Sequence, residues 1–396
     1  MKVALLSPFG YPIAEPFAGG TEAFLFRLAT GLLKRGVEVV CYACEGSDIP
    51  GAEIRTCGVG RQAFVPSQHP GLLSIEQRMA FQAAEDAAML AALTDAGSDP
   101  SIDILHNNSF SPIPFLCSSG TRIPLLHTLH LPPIKPDMVA AIRLCYKSGR
   151  FLRLVAGSQA QAHLWQTYHP LSHVIYYRFD TQALPPCGLT HEGTLAFAGR
   201  IDPQKGVEDA IAVAAAVGKR LDVYGGVQGP QTGYFQDRIK PLLQKHSNVI
   251  YHGLVSQAAL LQGLKQAQAL LFPIKWNEPF GYVAIEAMAM GTPVIMYDRG
   301  AAREMIVEGI NGFIVPADKP EEMAAAVEHT AHIDRERCAA YTRAKFHISI
   351  SVEQYLELFN KLVSSTSSEN RSSTFLGRAT PSSRGISDVS LHRFGE

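Results

Sequence analysis

The sequence lacks several features that would each assign the chain to a different class of protein. Its 396 residues contain no long uninterrupted apolar run, so no membrane-spanning helix is predicted. The formal net charge is −1, without the surplus of lysine and arginine on which nucleic-acid binding depends. No Asp-x-Asp occurs, so a divalent metal ion has no obvious carboxylate clamp. These absences predict a soluble protein that binds neither nucleic acid nor a metal ion.

Cysteine is scarce, and its number is odd. The chain has seven cysteines, and Cys41 and Cys44 form one C-x-x-C without a second pair or a His-x-x-x-His at zinc spacing. Free thiols on and just after a strand explain this pattern and suit a reducing compartment. Residues 1–8 carry one charge and too short an apolar run for a signal peptide. We therefore expect a cytoplasmic location.

Short apolar runs alternate with amphipathic helical patterns, which is typical of βαβ units. In the first half the predicted strands are Val3–Leu6, Val37–Tyr42, Ile102–His106, Leu125–His130, Leu152–Ala156 and His173–Tyr177. In the second half they are Leu195–Ala198, Leu221–Tyr224, Val249–His252, Ala269–Phe272, Pro293–Met296 and Gly312–Val315. Two such series predict an α/β protein with two Rossmann-like, doubly wound domains that face each other across a cleft.

The composition also marks the domain boundaries. Proline and glycine interrupt the pattern at Pro185, Pro186, Gly188 and Gly193, as in a linker. The predicted units are residues 1–180, the linker 181–194, residues 195–345, a terminal amphipathic helix over 346–363 and a Ser-rich tail over 364–396. The tail has few large apolar side chains, so we expect it to be disordered.

The loop Gly199–Gly206 follows a predicted strand and opens a helix. This position presents backbone N–H groups and the positive end of the helix dipole to an anion. Arg200 can contact a diphosphate through its guanidinium, and Lys205 adds a point charge. A solvated loop whose cations lie in water is the alternative for this motif taken alone.

Two carboxylates bracket a glycine further along the chain. Glu278 falls in a loop after a predicted strand, and Gly281 allows the backbone to approach a ligand closely. A helix that begins near Tyr282 places Glu286 about one turn in, facing the same cleft. One carboxylate can accept hydrogen bonds from a transferred sugar and the other from a ribose, as an acidic side chain does in dinucleotide folds. Exposed helical glutamate is the alternative for either residue alone.

These motifs resemble those of the retaining glycosyltransferases of family 4, which have the two-domain GT-B architecture. The matching stretches are residues 18–22, 197–206, 278–286, 291–294 and 308–315, in the family's order. The resemblance implies that Arg200 and Lys205 bind the donor diphosphate, that Glu278 binds the donor sugar and that Glu286 binds the ribose. It also implies that the last helix crosses back to the first domain. The remaining donor-binding residues that it implies are Gly19 and Gly20, beneath the phosphates, and Gly199, Phe280, Gly281 and Tyr282.

The resemblance implies that the chain is a hexosyltransferase-type enzyme. Such an enzyme moves a sugar from a nucleoside diphosphate sugar to an acceptor hydroxyl with retention of anomeric configuration. A UDP-sugar is the expected donor, and the acceptor is a sugar, a lipid-linked glycan or a small molecule. No cofactor or metal ion is expected, because Arg200 and Lys205 can stabilise the departing diphosphate. A nucleotide-sugar epimerase or phosphorylase of the same fold, or a donor-binding subunit without turnover, are the alternatives.

Three further features extend these expectations. His130 falls where the family often has a histidine, and it is the fourth candidate catalytic residue beside Arg200, Lys205 and Glu278. It can contact a donor hydroxyl, line the acceptor pocket or be structural.

Residues 176–180 lack the Asn-Gly turn of many relatives, so we expect a differently shaped hinge. Basic residues at 143, 147, 150 and 153 are either a solvated face or a peripheral contact with anionic lipid.

Overall fold

The computed structural model describes residues 1–15, 17–57, 75–118, 120–227 and 231–376. These residues form two parallel β-sheets, each with helices on both faces. Strands buried on both faces read as continuous apolar runs, and the central strands of both sheets are of this kind. The predicted α/β class with two doubly wound parallel sheets is confirmed.

The first sheet has the strand order β3-β2-β1-β4-β5-β6-β7. Its strands are β1 (Lys2–Leu6), β2 (Glu38–Tyr42), β3 (Glu53–Arg55), β4 (Ile104–Asn107), β5 (Leu125–Leu129), β6 (Arg153–Ala156) and β7 (His173–Val174). Its helices are α1 (Gly20–Leu33), α2 (Ile75–Ser98), α3 (Ile113–Cys117), α4 (Pro136–Lys147) and α5 (Gln159–Gln166). The edge strand β3 was not predicted, because its three residues alternate charged and apolar side chains without an apolar run.

The second sheet has the order β10-β9-β8-β11-β12-β13. Its strands are β8 (Leu195–Ala198), β9 (Leu221–Tyr224), β10 (Val249–Gly253), β11 (Ala269–Phe272), β12 (Val294–Tyr297) and β13 (Gly312–Val315). Its helices are α6 (Val207–Ala216), α7 (Gln231–Tyr234), α8 (Lys240–Lys245), α9 (Gln257–Gln266), α10 (Tyr282–Ala289), α11 (Ala302–Met305), α12 (Pro320–His329) and α13 (Arg335–Lys345). All paired strands in both sheets are parallel.

The terminal helix α14 (Ile348–Leu376) returns to the first domain and packs against α1 and β4. Tyr355 on this helix is fully buried, and its hydroxyl lies 3.0 Å from Thr128 Oγ1 of β5. The helix is longer than the predicted range 346–363. It continues through Leu376, into the segment that was expected to be disordered. The rest of the predicted tail, 377–396, lies outside the described residues. None of the helices in the described part of the chain combines the length and apolarity that a bilayer crossing needs.

The segment between the domains is held by backbone pairing and by one buried arginine. Phe179 N donates to Phe346 O at 3.2 Å, and Ile348 N donates to Phe179 O at 2.9 Å. Arg178 is buried and donates to the carbonyl of Lys345 at 3.1 Å and to Ser351 Oγ at 3.0 Å. This hinge without glycine is therefore an extended segment fixed to the start of α14.

Candidate active site

A cavity of about 440 Å³ lies between the two domains, at the carboxyl ends of strands in both sheets. This is where ligands bind in doubly wound folds. The first domain contributes Tyr11, Ala18, Gly19, Gly20, Thr21, Glu22, Phe110, His130, Leu131 and Tyr177. The second contributes Ala198, Gly199, Arg200, Lys205, Phe272, Trp276, Glu278, Pro279, Phe280, Gly281, Tyr282 and Val283. Every predicted site residue except Glu286 therefore lines one cavity.

An ion pair joins the two predicted motifs of the second domain. Lys205 Nζ lies 2.5 Å from Glu278 Oε2, and each side chain is 16% exposed. Trp276 Nε1 donates to the same carboxylate oxygen at 2.7 Å, and the ammonium of Lys205 lies 5.4 Å from the centre of the Trp276 ring. Trp276 was missed by the sequence analysis, although an aromatic residue two positions before Glu278 is a signal that could have found it.

The loop that carries Lys205 requires a glycine at its end. Pro203–Lys205 form a short 3₁₀ turn, in which the Asp202 side chain accepts a hydrogen bond from Gln204 N at 2.9 Å. Gly206 follows with φ +73°, and a Cβ there would lie 2.0 Å from the carbonyl oxygen of Pro273. Any larger residue at position 206 would collide with this carbonyl. Glycine therefore allows the Lys205 loop to pack closely against the loop after β11 that leads to Glu278.

Arg200 differs from Lys205 in that it is exposed at the cavity surface. It makes no ion pair or hydrogen bond with any of the described residues. An unpaired guanidinium beside the Lys205–Glu278 pair gives the cavity a local positive charge that can receive an anionic ligand.

Gly281 allows the chain to turn from the Glu278 loop into α10. Its φ is +123°, and a Cβ there would lie 3.1 Å from the Phe272 ring. The preceding Phe280 is only 2% exposed, and its ring centre lies 5.7 Å from that of Tyr177 in the first domain. Phe280 thus contributes to inter-domain packing as well as lining the cavity.

The first domain approaches the cavity through the start of α1. A Cβ at Gly20 would lie 3.7 Å from the ring of Tyr282 in the second domain, so the backbone comes close to the opposite side. Glu22, in the first turn of α1, is 6% exposed and lines the cavity. Burial raises the pKa of this carboxyl group above its ordinary value.

His130 is buried, and both of its ring nitrogens are engaged inside the protein. Nε2 lies 3.0 Å from Asn108 Oδ1, and Nδ1 lies 2.8 Å from the Tyr177 hydroxyl. Asn108 uses its Nδ2 to donate to the carbonyl of His106, so its Oδ1 accepts and Nε2 of His130 carries the proton. Nδ1 is then the acceptor that faces the Tyr177 hydroxyl, which also lies 3.2 Å from the carbonyl oxygen of Leu129. Burial lowers the pKa of His130 to about 3, which makes the ring neutral near pH 7. Tyr177, which lies in the hinge segment, was missed because no sequence motif marks it.

Glu286 does not face the cavity that contains Glu278, contrary to the sequence prediction. It lies on α10, one turn after Tyr282, and α1 of the first domain covers it. Arg27 Nη2 of α1 lies 3.0 Å from Glu286 Oε1, and Gln257 Nε2 of α9 lies 3.4 Å from the same oxygen. Burial raises the pKa of Glu286, and the charge of Arg27 opposes that shift. Arg27 was also missed, although a charged residue beside Phe24 and Leu28 on the buried face of α1 is a usable signal.

His127, three residues before His130, is fully buried, and its ring is stacked on Phe115 with ring centres 4.5 Å apart. In the part of the chain that the structure describes, no three His, Cys, Asp or Glu side chains converge as a metal site would require. The expectation that no metal ion takes part stays a prediction.

Two family models match successive parts of the chain. The family described as Glycosyltransferase Family 4 matches residues 18–182, and the family described as Glycosyl transferases group 1 matches residues 189–345. The first match covers the first sheet and its helices from α1 onward, without β1, and the second covers the second sheet and its helices. The fold and the cavity thus define a GT-B protein, and the chain belongs to the family-4, group-1 glycosyltransferases. It is an enzyme of the hexosyltransferase type.

Individual relatives agree with this assignment. The chain is 26% identical to a D-inositol 3-phosphate glycosyltransferase of Mycolicibacterium smegmatis, over 92% of each chain. Among solved structures, sucrose-phosphate synthase from Thermosynechococcus elongatus superposes with a TM-score of 0.75 at 19% identity, covering 92% of this chain and 99% of that one. Anabaena HepE in complex with UDP-glucose gives a TM-score of 0.68 at 18% identity, covering 91% and 100%. At these identities the two structures show the shared fold.

Proposed function

We propose that this glycosyltransferase moves a sugar from a UDP-sugar to an acceptor hydroxyl, with retention of anomeric configuration and without a metal ion. The observation that carries the proposal is the unpaired Arg200 beside the Lys205–Glu278 ion pair in the inter-domain cavity. These three side chains supply two cations for a diphosphate and a carboxylate for sugar hydroxyls.

The chemistry follows from where charge develops. Cleavage of the bond between the anomeric carbon and the diphosphate oxygen leaves the electron pair on that oxygen, and preorganised cations there lower the barrier. In the proposal Arg200 and Lys205 bind the diphosphate, while Glu278, held by Trp276, accepts hydrogen bonds from the sugar. His130 contributes to the side of the cavity that receives the sugar and acceptor. Because its ring is neutral and doubly hydrogen-bonded, we assign it a binding role.

The donor part of the proposal is supported by HepE, whose structure contains UDP-glucose. The reaction class is supported by the D-inositol 3-phosphate glycosyltransferases, which align along most of the chain. The acceptor remains a sugar, a lipid-linked glycan or a small molecule, chosen by first-domain loops such as those carrying Tyr11 and Phe110.

Peripheral membrane contact and a cytoplasmic location stay predictions. Arg143 and Lys147 are exposed on α4, as a lipid-facing or a solvated helix requires. Leu144, Tyr146 and Phe151, in the same segment, are exposed by 53%, 42% and 70%. Apolar side chains among cations favour the lipid interpretation over a plain solvated face.

The central test measures UDP release by the purified enzyme from a panel of UDP-sugars with candidate acceptors. We expect release that depends on an acceptor and is lost in Arg200→Ala. Arg303→Ala is the matched control, because Arg303 is exposed and pairs with Asp298 away from the cavity. NMR of the first product reports retention of configuration, and unchanged turnover in EDTA reports metal independence.

The alternatives give different outcomes in this assay. An epimerase would convert the UDP-sugar without releasing UDP, and a phosphorylase would require inorganic phosphate. A donor-binding subunit without turnover would bind UDP but release none from UDP-sugars with any acceptor. Each of these results would contradict the proposed transfer.

A further inference from the structure

A second cavity, of about 270 Å³, lies between the domains beside the first. It is bounded by α1 of the first domain, by α9 and α10 of the second, and by the hinge segment. Glu286 lines this cavity and is 5% exposed. The proposed donor site therefore has two compartments, and α10 contributes Tyr282 to one and Glu286 to the other.

Arg27 is the first-domain residue that connects the two compartments. Its Nη2 lies 3.0 Å from Glu286 Oε1, and its guanidinium carbon lies 4.4 Å from the centre of the Tyr282 ring. These two partners are one helical turn apart on the same face of α10. One side chain of α1 thus makes a hydrogen-bonded ion pair and a cation–π contact across the domain boundary.

The polar groups around this contact are incompletely satisfied. Arg27 and Gln257 both donate to Oε1 of Glu286, and Oε2 makes no hydrogen bond with any described residue. Arg27 Nη1 and Thr30 Oγ1 are buried and also lack a partner within the described ranges. Buried polar groups in proteins are nearly always paired. The carboxylate oxygen Oε2 of Glu286, which lies at this cavity, therefore points to a hydroxyl-bearing ligand that completes it.

We propose that Arg27 is a positioning residue for the donor's nucleoside: it fixes Glu286 through Oε1, leaves Oε2 for a ribose hydroxyl, and thereby makes nucleoside binding depend on contact between the two domains. The inference rests on the proposed function and on the ribose-binding role that the family resemblance implies for Glu286.

The charge of Arg27 also favours the ionised form of Glu286. Burial favours the protonated carboxyl group, which is a poor acceptor, and Arg27 opposes this effect. The other groups that face Glu286 are the neutral Gln257 and Tyr282. The remaining titratable groups at this cavity are Glu15, Lys34 and Asp180, and Lys34 pairs with Asp180 at 3.2 Å. Loss of Arg27 therefore leaves Glu286 without its cation.

The test compares Arg27→Met, Arg27→Lys and Glu286→Gln with the wild-type enzyme. We expect Arg27→Met to raise the KM for the UDP-sugar and the Kd for UDP by about tenfold or more, with kcat changed only a few-fold. The acid limb of its kcat/KM profile should move to higher pH. Arg27→Lys keeps the charge without the planar guanidinium, so it should recover part of the affinity. Arg35→Met is the control, because Arg35 lies just beyond α1 and pairs with Glu353 at 2.6 Å on the exposed surface.

A double-mutant cycle shows whether Arg27 acts through Glu286. In the Glu286→Gln background, Arg27→Met should have little further effect on donor KM. Wild-type affinity in Arg27→Met, or an undiminished effect in the double variant, would overturn the inference while the proposed function stands. A wild-type enzyme that binds no UDP would instead reject the proposed function, and this inference with it. If Arg27→Met does not fold, Arg27→Lys and the Glu286→Gln background decide the question.

Discussion

The two domains contribute opposite kinds of surface to the same cavity. The second domain provides charge, with the Lys205–Glu278 pair and the exposed Arg200 on two short loops. The first domain provides a largely neutral surface, in which His130 is enclosed by Asn108 and Tyr177. The contrast indicates a division of labour: fixed charges meet the ionic part of a donor, while a buried polar network shapes the space for uncharged hydroxyls.

The same contrast extends into the interiors of the domains. Among the described residues, all four buried histidines belong to the first domain, namely His106, His127, His130 and His169. Burial lowers the pKa of His127 and of His130 to about 3, and it lowers the pKa of His106 well below its ordinary value. The first domain therefore depends on neutral imidazoles in a way that the second does not.

The largest effect that we expect is selective loss of first-domain stability in acid. An unfolded imidazole has a pKa near 6.5, so below that pH the unfolded state binds protons that buried His127 and His130 do not. The stability that these two neutral imidazoles contribute to the folded state is therefore fully present above pH 6.5, and it is lost as the pH falls toward 3. At pH 5 the loss is about 2 kcal/mol for each imidazole.

The two tryptophans allow each domain to be followed separately. Trp165 is fully buried in the first domain, and Trp276 lies in the second. Urea unfolding at pH 7.5 and pH 5 would be followed by fluorescence in Trp276→Phe and in Trp165→Phe. We expect the midpoint reported by Trp165 to fall further than that reported by Trp276. Equal shifts of both midpoints would contradict the expectation that acid destabilises the first domain more than the second.

The next largest effect concerns the charged side of the cavity. We expect Lys205→Ala and Glu278→Ala each to lower turnover about a hundredfold or more, as loss of a single transition-state contact does. Lys275→Ala is the matched control, because Lys275 pairs with Asp209 at 2.8 Å and does not line the cavity. UDP release at saturating donor measures the effect. Turnover within a few-fold of the wild type would refute the roles of Lys205 and Glu278.

The charged side of the cavity could be predicted from the sequence because its residues are local. Arg200 and Lys205 lie on one strand-to-helix loop, and Glu278 lies on another, so motif spacing and strand order suffice to place them. The alternation of apolar runs likewise predicts the other strands of both sheets. The short edge strand β3 was not predicted, since a three-residue strand of mixed polarity has no periodic signal.

On the neutral side, His130, Gly19 and Gly20 were predicted as site residues. The hydrogen-bond network around His130 could not be predicted, because its contacts are tertiary. His130, Asn108 and Tyr177 come from three separate segments, and nothing in their local sequence shows that they meet. The position of Glu286 illustrates the same limit. Helical spacing placed it one turn after Tyr282, but the side that it faces is determined by Arg27 on a helix of the other domain.

A smaller effect is expected from glycine substitutions on the two sides of the cavity. Gly281→Ala forces a side chain into φ +123° and against the Phe272 ring, which should cost about 1–3 kcal/mol of stability. Gly20→Ala adds a Cβ at ordinary contact distance, 3.7 Å from the Tyr282 ring, and should change stability by less than about 1 kcal/mol. Chemical denaturation of both variants measures the difference. Similar losses of stability in both variants would show that the two positions are equally constrained.

The smallest effect on turnover is expected at His130. Because both ring nitrogens are bonded within the protein and the pKa of about 3 keeps the ring neutral at assay pH, His130 is poorly placed to transfer a proton. We expect His130→Gln to lower kcat less than about tenfold and to leave the pH profile unchanged, whereas loss of a general acid or base costs about 10²–10⁴-fold. Tyr177→Phe removes one of the two hydrogen bonds and should have an even smaller effect. A hundredfold loss in His130→Gln with a displaced pH profile would show that the neutral side of the cavity takes part in the chemistry, and the contrast between the domains would then fail.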